Sequence, residues 1–421
     1  MTATTAEQTG IEVIELLRAN GFARVHERFA AHLQALVSAE KLHAAWDSVQ
    51  QQHGRVTEVG EAVGEAGPSG TTAVRIPVHL EHGELMIELI VDDAGRLAGL
   101  QLTPPTTPWR LPAYVDETKF DEQDVTLGRD PFTVHGTLSA PRRSTGCPAV
   151  VLLAGGGPFD RDETTGSNKP LKDLAWGLAS RGIAVLRFDK VTYTHRDVAT
   201  RMDGFTMTDE YVPYAVAAVD ALRAHPAVDA ERVFVLGHSM GGKVAPRVAG
   251  AEPAIAGLIL MAADAEPMHR AAVRVTRYLV SLSPDGEVAA QSAIETLTRQ
   301  AELVDAPELS PATPASELPL GLSAAYWLDL RDYDPVAAAA AVGKPMLILQ
   351  GGRDYQVTVD DDLARWRAGL DGRPGVTIRV YDADNHLFFP GTGPSTPAEY
   401  TPPQHVDPQV VTDIATWLTT R

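Results

Sequence analysis

The stretch Val233-Phe234-Val235-Leu236-Gly237-His238-Ser239-Met240-Gly241-Gly242 places a serine between a short apolar run and the helix-competent segment 243–249. This order predicts a strand followed by a tight turn and a helix, with Ser239 at the turn. Side chains at positions 237 and 241 would collide with the adjoining strand and helix, so glycine is needed at both. The turn therefore predicts a nucleophilic serine at the edge of a sheet, with the Met240 amide facing a developing oxyanion.

Similar apolar runs recur along the second part of the chain and alternate with helical stretches. We predict strands at 125–127, 132–139, 149–153, 184–188, 233–236, 258–261, 346–350 and 377–381. Short buried strands separated by helices indicate the α/β class, with a mostly parallel sheet covered by helices on both faces. Residues 264–340 break the alternation with a longer helical stretch and a loop rich in Pro and Ser at 306–319, which predicts an insertion over the site.

The first part of the chain has a different organisation. Helical spacing of apolar residues over 11–53 predicts two or three amphipathic helices, and alternation with period two over 56–102 predicts antiparallel strands. The segment 103–108, rich in Pro and Thr, predicts an interdomain linker. We therefore expect a small N-terminal α+β domain at 1–103, a linker at 104–112 and a catalytic domain at 113–421 with an insertion at about 264–340.

Charge and cysteine content narrow the class of function. The 421 residues carry a net charge of −19, which repels phosphate backbones and anionic membrane surfaces. Cys147 is the only cysteine, so an internal disulfide and a thiolate-rich metal site are excluded. With a polar N-terminus and no long apolar run, these features predict a cytoplasmic enzyme that acts on a small molecule, without nucleic acid, membrane, metal or cofactor.

A serine hydroxyl needs a base, and the base needs a carboxylate to orient it. Asp354 follows the predicted strand at 346–350, and His386 follows the one at 377–381. Because parallel strands end at the same edge of a sheet, we expect both side chains to lie beside Ser239. Asp382 or Asp384 is an alternative for the carboxylate, and His405 for the base.

The run Ala154-Gly155-Gly156-Gly157-Pro158 follows the predicted strand at 149–153 and supplies a candidate second oxyanion donor. Three glycines let the backbone approach a bound carbonyl closely; we favour the Gly156 amide, with Gly155 or Gly157 as alternatives. The phosphate-loop pattern GxxxxGK[ST] and the dinucleotide pattern GxGxxG are both absent. The candidate residues of the substrate pocket are Phe159, Met268, Tyr278 and Trp327.

Several segments resemble a family of bacterial serine esterases with the α/β-hydrolase fold, akin to the dienelactone-hydrolase and prolyl-oligopeptidase-like branches. They are residues 157–163, 172–175, 187–190, the turn at Ser239, 350–357 and 385–388. The resemblance implies a carboxylic-ester hydrolase with the triad Ser239, Asp354 and His386. Relatives typically have His-Gly at the start of the oxyanion loop, where this chain has Ala154-Gly155. The N-terminal domain resembles a cystatin-like module of unknown function that precedes such hydrolases in many bacteria.

Three functional hypotheses follow. The first is a serine hydrolase that cleaves a carboxylic ester or thioester through an acyl-enzyme. The second is an acyltransferase, lactonase or cyclase of specialised metabolism that uses the same triad, which the altered oxyanion loop motivates. The third is a binding protein with a vestigial triad. The N-terminal sheet also predicts a homodimer through its exposed face.

Overall fold

A computed structural model describes residues 5–66, 70–103, 108–142, 145–282 and 287–421. The chain separates into two compact units, Met1–Pro108 and Trp109–Arg421. Residues 104–107 of the expected linker lie outside the described residues. Trp109, which the sequence analysis placed in the linker, packs within the second unit, because its indole donates a hydrogen bond to Asp173 at 2.8 Å and its ring contacts Trp176.

Among its described residues, the N-terminal unit has four helices and a five-stranded antiparallel sheet. The helices are α1 (Ala6–Arg18), α2 (Phe22–Glu27), α3 (Ala31–Leu36) and α4 (Ala39–His53). The strands are β1 (Val56–Val59), β2 (Val63–Ala66), β3 (Thr72–Leu80), β4 (Gly83–Val91) and β5 (Leu97–Thr103), in the order β1-β3-β4-β5 with β2 also paired to β3.

Buried apolar residues occur at every second position along much of β3 and β4, so this sheet has one buried face. Val74 and Ile76 of β3 and Ile87 and Leu89 of β4 are fully buried, and they pack in one core with Val13 and other apolar residues of α1. The period of two in the sequence, which predicted the strands, corresponds to this buried face.

The second unit is built on an eight-stranded sheet. Its strands are β6 (Phe120–Leu127), β7 (Val134–Pro141), β8 (Cys147–Leu153), β9 (Ala184–Phe188), β10 (Val228–His238), β11 (Leu258–Met261), β12 (Met346–Gly351) and β13 (Val376–Tyr381). The order is β13-β12-β11-β10-β8-β9-β7-β6; pairing is parallel from β13 to β9, and β7 and β6 are added antiparallel. The expected α/β class is confirmed, and a strand lies at each of the eight predicted places. Several strands are longer than predicted, and the one expected at 132–139 begins at Val134 and ends at Pro141.

Helices cover both faces of this sheet. The helices of the second unit within the described residues are α5 (Pro170–Ala179), α6 (Val191–Thr194), α7 (Val198–Arg201), α8 (Met207–Arg223), α9 (Met240–Ala251), α10 (Met268–Ser281), α11 (Glu287–Asp305), α12 (Ala324–Arg331), α13 (Pro335–Val342), α14 (Ala364–Leu370) and α15 (Pro408–Thr419). One core contains α8, α9, α13 and α14, and a second core on the opposite face contains α5 and α15. Because successive side chains of a strand point to opposite faces, Val151 and Val235 lie in the first core, and Val150 and Phe234 lie in the second.

The predicted insertion lies between β11 and β12 and contains α10 to α13. The last of these, α13, packs against α9 as part of the helical layer that covers the sheet. No helix among the described residues has the length and apolarity to cross a bilayer.

Candidate active site

Ser239 occupies the turn between β10 and α9 in a strained backbone conformation. Its φ of 54° and ψ of −122° lie in a region that non-glycine residues rarely adopt. A Cβ at Gly237 would lie 2.1 Å from the carbonyl oxygen of Gly241, and a Cβ at Gly241 would lie 2.4 Å from that of Leu153. Glycine at both positions therefore lets α9 start close against β8 and β10, with Ser239 at the C-terminal edge of the sheet.

His386 and Asp354 form a buried pair at the same edge. The Nδ1 atom of His386 lies 2.7 Å from Oδ2 of Asp354, and both residues are buried. The other carboxylate oxygen accepts hydrogen bonds from the amides of Gln356 at 2.8 Å and Val357 at 3.0 Å. These bonds fix the carboxylate, so that it can hold the imidazole with Nε2 free to act as a base.

The Ser239 hydroxyl does not yet bond to this base. Among the described residues its partner is Asp264, with Oγ 3.5 Å from Oδ1. Hydrogen bonds between a nucleophile and its base are often long or misaligned before substrate binds, so the geometry is compatible with a triad.

The alternative triad members have other surroundings. Asp382 is exposed, and Asp384 is buried. Neither carboxylate oxygen of Asp384 has a hydrogen-bond partner among the residues that the structure describes. His405 pairs with Asp173 through contacts of 3.1 and 3.2 Å. The structure thus brings Asp354 and His386 together and leaves the three alternatives outside the pair.

The oxyanion loop is fixed through Gly155. Its amide donates to Glu163 at 2.8 Å, and its carbonyl accepts bonds from Lys190 Nζ at 2.8 Å and the Tyr211 hydroxyl at 2.7 Å. The Gly155 amide therefore already has an acceptor within the protein and is not available to a bound oxyanion. Among the described residues the amides of Gly156 and Met240 have no protein acceptor, and a Cβ at Gly156 would lie 3.3 Å from the Met240 side chain.

Lys190 and Tyr211 brace the oxyanion loop, at whose start the resemblance to the esterase family implied a histidine in place of Ala154. Lys190 is buried and paired with Glu210 at 3.0 Å, and Nζ also donates to the Tyr211 hydroxyl at 2.6 Å. Residue 154 of this chain has only a methyl side chain, yet the loop is held by a buried charge pair between Lys190, which lies between β9 and α6, and Glu210 of α8. The sequence contained one signal for this contact, the segment 187–190 shared with the esterase family, but it did not reveal the partner.

A second buried pair joins the oxyanion loop to the loop of His386. The Nδ1 atom of His238 lies 2.9 Å from Glu163 Oε1, and its Nε2 lies 2.9 Å from the carbonyl oxygen of His386. Burial lowers the pKa of His238, but the charge and hydrogen bond of Glu163, together with the His386 carbonyl and the Asp354 charge, raise the pKa to about 9. His238 is therefore an imidazolium near neutral pH, and both of its N–H groups donate.

A cavity of about 1130 Å³ opens above Ser239. Its wall includes four of the candidate triad and oxyanion residues, Ser239, His386, Gly156 and Met240, together with apolar residues of the insertion. Of the four pocket candidates, Phe159 and Met268 line this cavity.

The other two pocket candidates do not line the cavity, and their prediction is corrected. Trp327 is fully buried in the core, where its indole donates to the Pro319 carbonyl. Tyr278 stacks on Tyr355 and its hydroxyl donates to the Ser395 carbonyl at 2.8 Å. The insertion instead contributes residues that the sequence analysis did not name: Ala271, Val275, Leu297, Leu320, Leu322 and Tyr326.

The charged loop downstream of the oxyanion loop forms internal salt bridges. Arg161 binds Asp189 through two bonds of 3.0 and 2.9 Å, and Asp162 accepts a bond from Arg187 at 2.8 Å. These salt bridges hold the loop against the end of β9. No group of three or more His, Cys, Asp or Glu residues within the described ranges is arranged to hold a metal ion.

Comparisons with known proteins place the chain among the α/β-hydrolases. Residues 167–389 match the family model described as serine aminopeptidase, S33. The chain is 34% identical over 415 residues to Esterase EstD of Thermotoga maritima, covering 98% of this chain and 95% of that protein.

Solved structures include two similar esterases. Est1E from Butyrivibrio proteoclasticus is 17% identical, with a TM-score of 0.45, and the match covers 71% of this chain and 99% of that chain. An esterase of Pyrococcus furiosus is 16% identical, with a TM-score of 0.46, and the match covers 75% and 97% of the two chains. On the family match and the near full-length relative, the resemblance seen in the sequence is confirmed, and the chain belongs to the serine aminopeptidase S33 family of α/β-hydrolases.

Proposed function

We propose that this protein is a serine hydrolase that cleaves carboxylic esters through an acyl-enzyme intermediate. The observation that carries the proposal is the strained Ser239, which faces a large cavity shared with the buried His386–Asp354 pair. The near full-length similarity to a protein named as an esterase supports the choice of an ester as substrate.

In the first half of the reaction Ser239 Oγ attacks the ester carbonyl carbon while Nε2 of His386 accepts the hydroxyl proton. Asp354 holds the other ring nitrogen and stabilises the imidazolium that forms. The carbonyl oxygen becomes an oxyanion, which the amides of Gly156 and Met240 stabilise. Collapse of the intermediate breaks the bond to the alcohol oxygen, which leaves with the proton from His386.

In the second half a water molecule attacks the acyl carbon and gives its proton to His386. The Ser239 oxygen leaves, takes the proton back, and the carboxylic acid is released. Every proton transfer involves groups of this chain or of the substrate.

The structure favours this function over the two alternatives. The acyl-transfer hypothesis rested on Ala154, which was expected to leave the oxyanion loop without support. Hydrogen bonds from Lys190 and Tyr211 hold that loop in place instead. A vestigial triad is disfavoured by the cavity and by the hydrogen bonds that fix Asp354.

The test is turnover of p-nitrophenyl esters of short and long acids, with an aminoacyl p-nitroanilide as the amide counterpart because the family description names an aminopeptidase. We expect ester hydrolysis by the wild type and its loss in Ser239→Ala and His386→Ala. His405→Gln is the matched control, because His405 lies outside the cavity lining. Wild-type activity on the anilide without activity on any ester would contradict the proposal.

A further inference from the structure

Lys190 is a buried cation whose three N–H groups all have acceptors within the protein. Its side chain is 2% exposed, and Nζ donates to the Gly155 carbonyl at 2.8 Å and to the Tyr211 hydroxyl at 2.6 Å. The third contact is a carboxylate oxygen of Glu210, at 3.0 Å. An ammonium has three donors and no acceptor, so these contacts satisfy it completely.

The Glu210 carboxylate that balances this charge is itself held in place. Its two oxygens accept hydrogen bonds from the Thr192 hydroxyl at 2.7 Å and the Tyr326 hydroxyl at 2.6 Å. Burial lowers the pKa of Lys190 from its ordinary value, and the charge and hydrogen bond of Glu210 oppose that shift in favour of the ammonium. The cation is therefore fixed against the oxyanion loop by a buried polar network.

The carbonyl that Lys190 contacts belongs to the same peptide unit as the Gly156 amide. Resonance makes a peptide unit one planar group, so electron density drawn towards the Gly155 oxygen makes the Gly156 N–H a stronger donor. Lys190 and Tyr211 both donate to that oxygen, at 2.8 and 2.7 Å, and the ammonium makes one of these bonds charge-assisted. Gly156 lines the cavity, and its amide has no acceptor within the described chain.

The other proposed oxyanion donor is bonded differently. The Met240 amide shares its peptide unit with the Ser239 carbonyl, which accepts a hydrogen bond from the backbone amide of Lys243 at 3.0 Å. This is an ordinary bond of helix α9 between neutral groups, which is weaker than a charge-assisted one. The contact with a cation thus distinguishes the Gly156 side of the oxyanion hole.

We propose that Lys190 polarises the peptide between Gly155 and Gly156 and so strengthens the oxyanion hole, which is an inference that rests on the proposed function. As negative charge develops on the ester carbonyl oxygen, the Gly156 N–H donates to it, and the ammonium stabilises that charge from the far end of the peptide. The effect is large because buried charges are weakly screened. Lys190 does not line the cavity, so it is a positioning residue that acts through the peptide.

The test compares p-nitrophenyl acetate with its thiono analogue, in which sulfur replaces the carbonyl oxygen. Sulfur is a weak hydrogen-bond acceptor, so the ratio of kcat/KM for the oxygen ester to that for the sulfur ester measures the contribution of the oxyanion hole. The double variant Lys190→Met/Glu210→Gln removes both charges and leaves no buried carboxylate unpaired. Tyr211→Phe removes one donor to the Gly155 carbonyl and keeps the aromatic ring.

The matched control is Lys169→Met. Lys169 donates to the Asp162 carboxylate at 2.9 Å rather than to a peptide carbonyl, and Asp162 keeps its bond to Arg187 in this variant. The control therefore loses a paired lysine near the same loop without a change at the oxyanion hole, and its ratio should equal that of the wild type.

We expect the double variant to lower kcat on the oxygen ester about 100-fold with little change in KM, and to lower the oxygen-to-sulfur ratio at least about tenfold. Tyr211→Phe should lower the ratio in the same direction by about threefold or more, as loss of one neutral hydrogen bond implies.

Equal loss of both activities in the double variant would overturn the inference, because the pair would then support only the fold in general. If the double variant does not fold, Tyr211→Phe decides: a lowered ratio supports the inference and an unchanged ratio overturns it. Absence of turnover of the oxygen ester by the wild type would instead refute the proposed function, so the two failures are distinguishable.

Discussion

Replacing Glu163 by glutamine removes the negative charge that keeps His238 protonated between the oxyanion loop and the loop of His386. Glutamine keeps an acceptor for the Gly155 amide, which now donates to Glu163 at 2.8 Å. The change therefore tests the ion pair rather than the shape of the site. It leaves His238 buried without its counterion, so the imidazole becomes neutral.

The magnitude follows from the pKa of His238, which rises from 6.5 to about 9 in the folded protein. This shift means that the folded protein stabilises the protonated imidazole over the neutral one by about 3 kcal/mol. Removal of one partner of a buried ion pair costs a similar amount, about 3–5 kcal/mol. Because the pKa of His238 is higher in the folded than in the unfolded protein, the ion pair stabilises the folded state fully below about pH 6.5. This stabilisation is lost as the pH rises through about 9.

The assay is urea unfolding followed by tryptophan fluorescence at about pH 6 and about pH 9.5, on either side of this window. At the lower pH we expect Glu163→Gln to lose about 3 kcal/mol relative to wild type, and at the higher pH most of that difference should vanish. The exposed Glu308→Gln is the control and should change little. A variant as stable as wild type at the lower pH, or a deficit that does not shrink at the higher one, would refute the reasoning.

Three further changes probe other parts of the site. Asp354→Asn should lower kcat by about 10⁴-fold with little effect on KM, because the imidazole loses its orienting carboxylate; the exposed Asp382→Asn should leave the same ester kinetics unchanged. Gly241→Ala brings a methyl group to 2.4 Å from a backbone oxygen of β8, so the free energy of unfolding should fall by several kcal/mol in thermal or urea unfolding. The control is Gly250→Ala, on the same helix with open space around it, which should be neutral or stabilising. Burial raises the pKa of Asp384 to about 7, so ionisation destabilises the folded state as the pH rises through 7; Asp384→Asn should be more stable than wild type by at least about 1 kcal/mol above that pH in urea titrations, with the difference shrinking in acid.

The sequence was sufficient for the sheet and for the order of the catalytic elements. Buried strands such as 149–153 and 258–261 are apolar at every position, and the Gly237-His238-Ser239 turn is dictated by short-range steric contacts. Asp354 and His386 could be predicted because parallel strands end at one edge of a sheet. These inferences need only local pattern and topology.

The remaining features of the site depend on contacts between distant segments. The hydroxyl of Tyr211 reaches the carbonyls of Ala154 and Gly155 across more than fifty positions of sequence. The amide of Ala265 likewise donates to Asp362 across ninety-seven positions. Trp327 has a large apolar side chain that is as suitable for a core as for a pocket, and only the packing of α12 decides between them. Neither residue type nor spacing contains that information.

The most direct test of the central claim is the mass of the intact protein after treatment with a fluorophosphonate. If Ser239 is the activated nucleophile, the wild type gains a single adduct, whereas Ser239→Ala gains none and Asp354→Asn reacts much more slowly. A wild type that stays unlabelled, or a Ser239→Ala variant that is labelled to the same extent, would contradict the account.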